Sequence, residues 1–423
     1  MQPHKPTRRT SETLHDTTQA PIATNIDMSE STMTEVEEPP SGDLVTGYEN
    51  VKSKVGIKQR LKHFTFAWFL STMSTGGLAI ALAETPHKFR GLYTIGLIIF
   101  IFNITFFLLL CSAMLTRAIL YPKHIKKSFI HPQESFFIGS FWLSISVIIG
   151  GIQVYGITYG PAYPWLVGAV HALYWMYAAF SLANSIAQYW LLIQSSTVRP
   201  VPFTPAMFLA GYSAMLTGTV ASLVAGTQPP ERAVPIIISG LAYKGFGWMI
   251  SFVCIVYFVR LLLDKGPPPP QLRPSLFIPV GSVAYTIVTL IGLADGIPTD
   301  PSYGYFAKHP EAKQILQVVA LFVSIFMWLF SFWIFAIAVL GNVSVVGRMS
   351  FSLTWWAFIF PNVGLMIATS MIGKKLESAA IQWIASTITI MLVMIWLVSI
   401  VGCVRAVWQS KIIWPGRDED KDM

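Results

Sequence analysis

The chain has 423 residues, of which 53% are hydrophobic and only 12% charged, about half the charged fraction of a soluble domain. That balance excludes a soluble globular protein and points to one that crosses a membrane repeatedly. The net charge of +8 does not indicate nucleic-acid binding, because the basic residues gather at the ends of apolar spans, as membrane topology arranges them.

Residues 1–55 are rich in Ser, Thr, Glu and Pro and contain no apolar run, so they are expected to form a disordered tail. No charged-then-apolar signal peptide opens the sequence, so this tail is expected in the cytosol. A basic approach, Lys52, Lys54, Lys58, Arg60 and Lys62, leads into a membrane domain expected over residues 56–410. Residues 411–423 form a second, C-terminal cytosolic tail.

Ten apolar spans make up the domain, at about 64–83, 92–116, 135–158, 165–193, 203–225, 234–259, 275–294, 314–341, 354–372 and 379–404, none with an Asp or Glu. The predicted class is an all-α, multi-pass membrane protein. An even count puts both termini on one side. With that side cytosolic, the inner flanks carry eighteen Lys and Arg and the outer loops seven, which sets the orientation.

The spans alternate in character. The odd ones are shorter and carry about twice the fraction of Ser, Thr and Gly found in the even ones. Breakers also collect in them: Gly76 with Gly77, Gly150 with Gly151, Gly211 with Gly218, Pro279 with Gly281, and Pro361 with Gly364. Small residues let helices approach closely, and Ser or Thr can bond across them. The same residues serve helix packing alone, but their recurrence in all five odd spans favours a solute path. The expected architecture is five helical hairpins, odd helices inside and even helices outside. Its candidate lining is Thr75, Gly76, Gly77, Ser144, Gly150, Thr217, Gly218, Gly281, Ser282, Pro361, Asn362 and Gly364.

In the ninth span, Pro361 cannot donate a backbone hydrogen bond, and its ring presses on the carbonyl of Ala357. A kink is expected there, with the freed carbonyl turned to protein or to a watery cavity. The amide of Asn362 is placed to satisfy it or to reach a solute. Phe358 and Phe360 flank the break on nearly opposite sides of the helix, so only one of them can face a central path.

Two basic side chains sit within spans. Lys244 is a candidate for attracting an anion, since an intramembrane charge is costly, although its span is an even one. His171 is a candidate proton carrier, or a hydrogen-bonded packing histidine. Cys111, Cys254 and Cys403 lie in apolar spans without metal-type spacing and read as small apolar residues. No phosphate loop, HExxH or intramembrane carboxylate pair is present, so neither an enzyme nor a cofactor is expected. A path holding hydroxyls, amides, one lysine and no acid should favour anions. Helix dipoles at the broken odd spans should add to that preference.

The run Leu61-Lys62-His63-Phe64-Thr65-Phe66-Ala67-Trp68-Phe69, followed by Thr72-Met73-Ser74-Thr75-Gly76-Gly77, resembles the opening span of the fungal malate permeases. These belong to the tellurite-resistance/dicarboxylate transporter family, which includes the plant slow anion channels. Gly226-Thr227-Gln228-Pro229, Arg273-Pro274-Ser275-Leu276-Phe277, Trp356 to Gly364 and Trp414 to Asp420 carry the same resemblance onward. It implies ten helices as five hairpins around a central pore, a homotrimer, and a phenylalanine on the ninth helix that blocks each pore. By position that ring is Phe360, with Phe358 as the second candidate. The implied substrates are malate, succinate and related dicarboxylates at a plasma membrane, with sulfite or another small anion as the alternative. A membrane receptor without transport is the alternative of another class. Lys244 departs from the family pattern, in which glutamine is common at this position.

Overall fold

A computed structural model describes residues 56–131, 134–196, 203–299 and 304–414. The expected tail over 1–55, and the C-terminal tail beyond Trp414, lie outside the described residues. Among the described residues, ten helices are long and apolar enough to cross a membrane. They are α1 (Phe66–Glu84), α2 (Leu92–Leu120), α3 (Glu134–Thr158), α4 (Pro164–Gln194) and α5 (Pro205–Thr227), then α6 (Pro230–Lys265), α7 (Pro270–Asp295), α8 (Ala312–Val343), α9 (Leu353–Lys375) and α10 (Ala379–Trp408). Several run past the bounds expected from sequence. For example, α1 continues to Glu84, α7 reaches Asp295 and α3 begins at Glu134.

Burial separates two sets of helices. In the odd-numbered ones, 67% to 100% of the apolar window is buried inside the protein; in the even-numbered ones only 22% to 28% is. The odd helices touch in a closed cycle, α1 to α3, α3 to α5, α5 to α7, α7 to α9 and α9 back to α1. Four even helices, α2, α6, α8 and α10, pack chiefly on the odd helix that precedes them, whereas α4 packs chiefly on α5, which follows it. The outer faces carry large exposed apolar side chains such as Phe326 on α8 and Leu263 on α6, as a lipid-facing surface requires.

The inner helices share a local design. Each opens with a tight 3₁₀ turn, at Phe66–Trp68, Glu134–Phe137, Pro205–Met207, Pro270–Phe277 and Leu353–Phe358, and then relaxes to α. Such turns are common at helix starts. Pro205 and Pro270 occupy the first turn, where a missing N–H costs nothing. Hydroxyls then bond helix to helix: Thr72 to Ser144 at 2.8 Å, Ser181 to Thr217 at 3.0 Å and Thr85 to Thr389 at 3.1 Å.

Both ends of the described chain meet on one side of the bundle. Arg60, on the short helix Ile57–Lys62, lies over the Trp414 ring at 4.9 Å. On the same side a buried ion pair, Arg117 to Glu134 at 3.1 Å, joins the end of α2 to the start of α3. Arg117 also donates to the carbonyl of Lys62 at 3.1 Å.

Candidate functional site

The ring of odd helices encloses a cavity of about 300 Å³ whose walls come from α1, α3, α5, α7 and α9, save Gly296 just beyond α7. Phe360 forms one end of it. That ring is buried, sits 5.0 Å from the Tyr285 ring, and rests on Gly77. A methyl group added at Gly77 would come within 3.1 Å of Phe360 Cδ2, so the small residue is what admits the ring. Tyr285 also donates its hydroxyl to the carbonyl of Phe360 at 3.0 Å. Gly364 lets the Tyr285 ring lie against α9, where a methyl group would meet it at 2.9 Å.

Beyond this layer lies a second cavity of about 210 Å³, lined by Leu70, Met73, Tyr212, Thr354, Ala357 and Pro361 among others. Consecutive residues of α9 therefore face the two chambers, Phe360 one and Pro361 the other. Tyr212 braces the second side by donating to the Ile278 carbonyl at 2.7 Å and accepting from the Ser282 amide at 3.1 Å.

The kink at Pro361 takes a specific form. The 3₁₀ turn ends at Phe358, and the α-helix restarts at Phe360 with Pro361 in its first turn. Asn362 Nδ2 donates to the carbonyl of Phe358 at 2.8 Å, one residue along from the Ala357 carbonyl expected from sequence. The Phe358 ring turns the other way from Phe360. It packs 5.3 Å from Phe277 and 5.8 Å from Trp355, in a side cleft shared with α8 and α10. Asn362 lines that same cleft and not either chamber.

The other candidate lining residues divide. Gly77 faces the first cavity and Pro361 the second. Thr75 accepts from Trp396 of α10 at 3.1 Å, and Thr217 bonds Ser181 of α4. Both hydroxyls therefore point to outer helices. Ser144 is held by Thr72 and by the Phe69 and Ser140 carbonyls. Gly76 packs against Asn103 and Val147, and Gly150 against Ile80 and Leu223. Gly281 packs against Pro361, and Ser282 Oγ bonds back to the Pro279 carbonyl. Apart from Gly77 and Pro361, these small and hydroxylated residues hold helix to helix, and other residues line the first cavity. Thr219, Ser146, Ser222 and Tyr285 were not singled out from sequence. Thr219 is two positions from Thr217, about 200° round the helix, so the outward bond of Thr217 would have pointed to it.

Lys244 of α6 is buried and crosses Gly218 to reach the inner ring. Its Nζ donates to Thr219 Oγ1 at 2.9 Å, and Thr219 lines the first cavity. Thr289 donates its own proton to the Tyr285 carbonyl at 2.8 Å, so the 3.1 Å contact between Thr219 and Thr289 has Thr219 as donor. The chain Lys244, Thr219, Thr289 thus ends on the residue that braces Phe360. His171 lies on outer helix α4, accepting from Trp175 Nε1 at 3.1 Å, outside both chambers.

The expectation that no carboxylate faces the path does not hold. Glu84 and Asp295, the last residues of α1 and α7, line the first cavity. Lys374 Nζ lies 3.6 Å from Glu84, and Lys375 Nζ lies 2.5 Å from Asp295. The helix dipoles also differ between the chambers. The first lies among the C-terminal ends of the five inner helices and the second among their N-terminal ends. Only the second therefore has the positive helix ends that favour an anion.

A model of the voltage-dependent anion channel family (SLAC1) matches residues 63–404, the whole ring included. The chain belongs to that family. The malic acid transport protein of Schizosaccharomyces pombe is 33% identical over 379 residues, covering 88% of this chain and 85% of the relative. The sulfite efflux pump of Trichophyton rubrum is 28% identical over 371 residues, covering 84% of this chain and 95% of that one. An uncharacterized transporter of Methanocaldococcus jannaschii is 23% identical over 364 residues, covering 84% and 98%. As a voltage-dependent anion channel family member, the chain is a multi-pass membrane protein of the transporters and channels, and not an enzyme.

Proposed function

We propose that this protein carries C4-dicarboxylate anions, malate and succinate, across the plasma membrane through the ring of odd helices, with Phe360 as the gate. The observation that carries this reading is the seat of Phe360 on Gly77 and Tyr285 between two chambers. A bulky apolar ring across a path excludes water and ions until it moves. The malic acid transport protein among the relatives supports the substrate class. In the first cavity the hydroxyls of Ser146 and Ser222 replace part of the solute's hydration by turning their protons away from the Leu143 and Thr219 carbonyls. Protonating malate once lowers its desolvation cost, which favours uptake driven by a proton gradient.

Both termini lie in the cytosol on this reading. The mouth with Glu84 and Asp295 then opens outward, and the exposed apolar faces meet lipid and two further copies in a homotrimer. The sulfite efflux pumps among the relatives favour a second reading, export of sulfite or another small anion by the same path.

The test is flux. Purified protein in proteoliposomes should take up labelled malate, more rapidly with acid outside. Unlabelled succinate should compete better than citrate, sulfite or nitrate. Flux of sulfite alone would move the protein to the second reading. Malate binding without flux of any anion would make it a receptor.

A further inference from the structure

We infer that the mouth of the first cavity is an exchange site for dicarboxylates, where an arriving solute's two carboxylates displace Glu84 and Asp295 from Lys374 and Lys375. This deepens the proposed function and rests on it. Consecutive lysines end α9, the helix that bears the gate, and they reach in different directions: Lys374 to the end of α1 and Lys375 to the end of α7. Their carboxylate partners both line the cavity. The two ammonium groups therefore flank one opening, an arrangement matched by a solute with a charge at each end.

The surroundings make these lysines decisive. Five helix C-terminal ends and two acids give the mouth a negative character, which repels anions. Lys374 and Lys375 are the cations paired with those acids. They are reachable, with side chains 45% and 34% exposed, while Glu84 and Asp295 are 21% and 37% exposed. Ion pairs this exposed contribute little to stability, so exchanging the partner of each lysine is cheap. When released, the Asp295 carboxylate keeps the bond from Gln317 Nε2 at 2.7 Å, while at Glu84 Ser370 Oγ fixes the backbone carbonyl at 2.9 Å and leaves the carboxylate free to swing aside.

An alternative role, a latch that fastens α9 to its neighbours, gives a different sign pattern. A latch is weakened equally from either side of a pair. An exchange site is weakened by losing a lysine and strengthened by losing an acid, because the acid competes with the solute. The experiment measures malate and nitrate uptake by the full-length protein and its variants in proteoliposomes, with a thermal midpoint for each. Lys374→Gln and Lys375→Gln should raise the KM for malate by roughly two- to five-fold each, with a smaller change for nitrate. Lys374→Arg and Lys375→Arg should restore it. Glu84→Gln and Asp295→Asn should lower it. Shifts of the same sign from the acid and lysine variants would overturn the exchange site, as would a malate KM unmoved by losing both lysines. A parent protein that moves no malate at all would instead overturn the proposed function.

Discussion

The inner and outer helices differ in what fills their surfaces, and the difference reverses the rule for soluble proteins. The buried helices, α1, α3, α5, α7 and α9, are the ones rich in Ser, Thr and Gly, while the outer ones expose Phe, Leu, Ile and Val. In lipid the apolar side chain has nothing to gain by moving inward, since the bilayer is as apolar as the core. What holds the inner ring together is close approach and hydrogen bonding. Examples are Thr72 with Ser144, Tyr285 with the Phe360 carbonyl, and Ser74 with the Trp356 carbonyl.

Two rings on one helix test the comparison most severely. Phe360 faces the cavity and is buried, whereas Phe358 faces outward to α8 and α10 and is half-buried. Phe360→Ala should cost about 3–5 kcal/mol of stability and raise anion leak. Phe358→Ala should cost less and leave leak at the parent level. Leak currents in planar bilayers, read beside thermal midpoints, separate the two. A leak raised by Phe358→Ala and not by Phe360→Ala would reverse which face of α9 meets the path.

Close approach within the inner ring gives the next effect. Gly139 of α3 lies against the Leu209 carbonyl of α5, where an added methyl group has no room. The obstacle is backbone, which cannot rotate away. Gly139→Ala should lower stability by about 1–3 kcal/mol, read as a fall in thermal midpoint in detergent. A midpoint equal to the parent's would show that α3 and α5 stand further apart than this.

The class of fold, the number of spans and the split into inner and outer sets were legible in the sequence, because lipid exposure demands long acid-free runs and close packing demands small residues. The opposed faces of Phe358 and Phe360 followed from helical periodicity. The lining was less legible. Thr75, Ser144 and Thr217 have the right chemistry, but a hydroxyl also turns toward a partner on another helix, and each of these found one: Trp396, Thr72 and Ser181. Glu84 and Asp295 were missed for another reason. An acid at the end of an apolar run reads as the run's limit, although a helix lining a cavity can keep its last acid within the wall.

Lys244 is where an outer helix reaches the inner ring. Replacing it with Gln exchanges the buried amine that donates to Thr219 for a shorter amide, so the net change in stability should stay within about 1 kcal/mol. Its effect belongs in selectivity, because Thr219 lines the cavity and its donor changes from an amine to a shorter amide. Lys244→Gln should shift the ratio of malate to sulfite uptake. An unchanged ratio would confine Lys244 to holding α6 against α5.

The smallest effect is expected on the outer helices. Gly168 of α4 has nothing within 4 Å of where a methyl group would stand, and Ala is the better helix former by up to about 1 kcal/mol. Gly168→Ala should therefore leave the thermal midpoint level or slightly raised. Lipid chains yield to a methyl group, but a packed protein face does not. A clear fall in the midpoint, accompanied by a smaller particle in size-exclusion chromatography, would mean that a second copy of the chain covers this face of α4. The contrast with Gly139 would then no longer be one of protein contact against lipid contact, since both glycines would lie at protein interfaces.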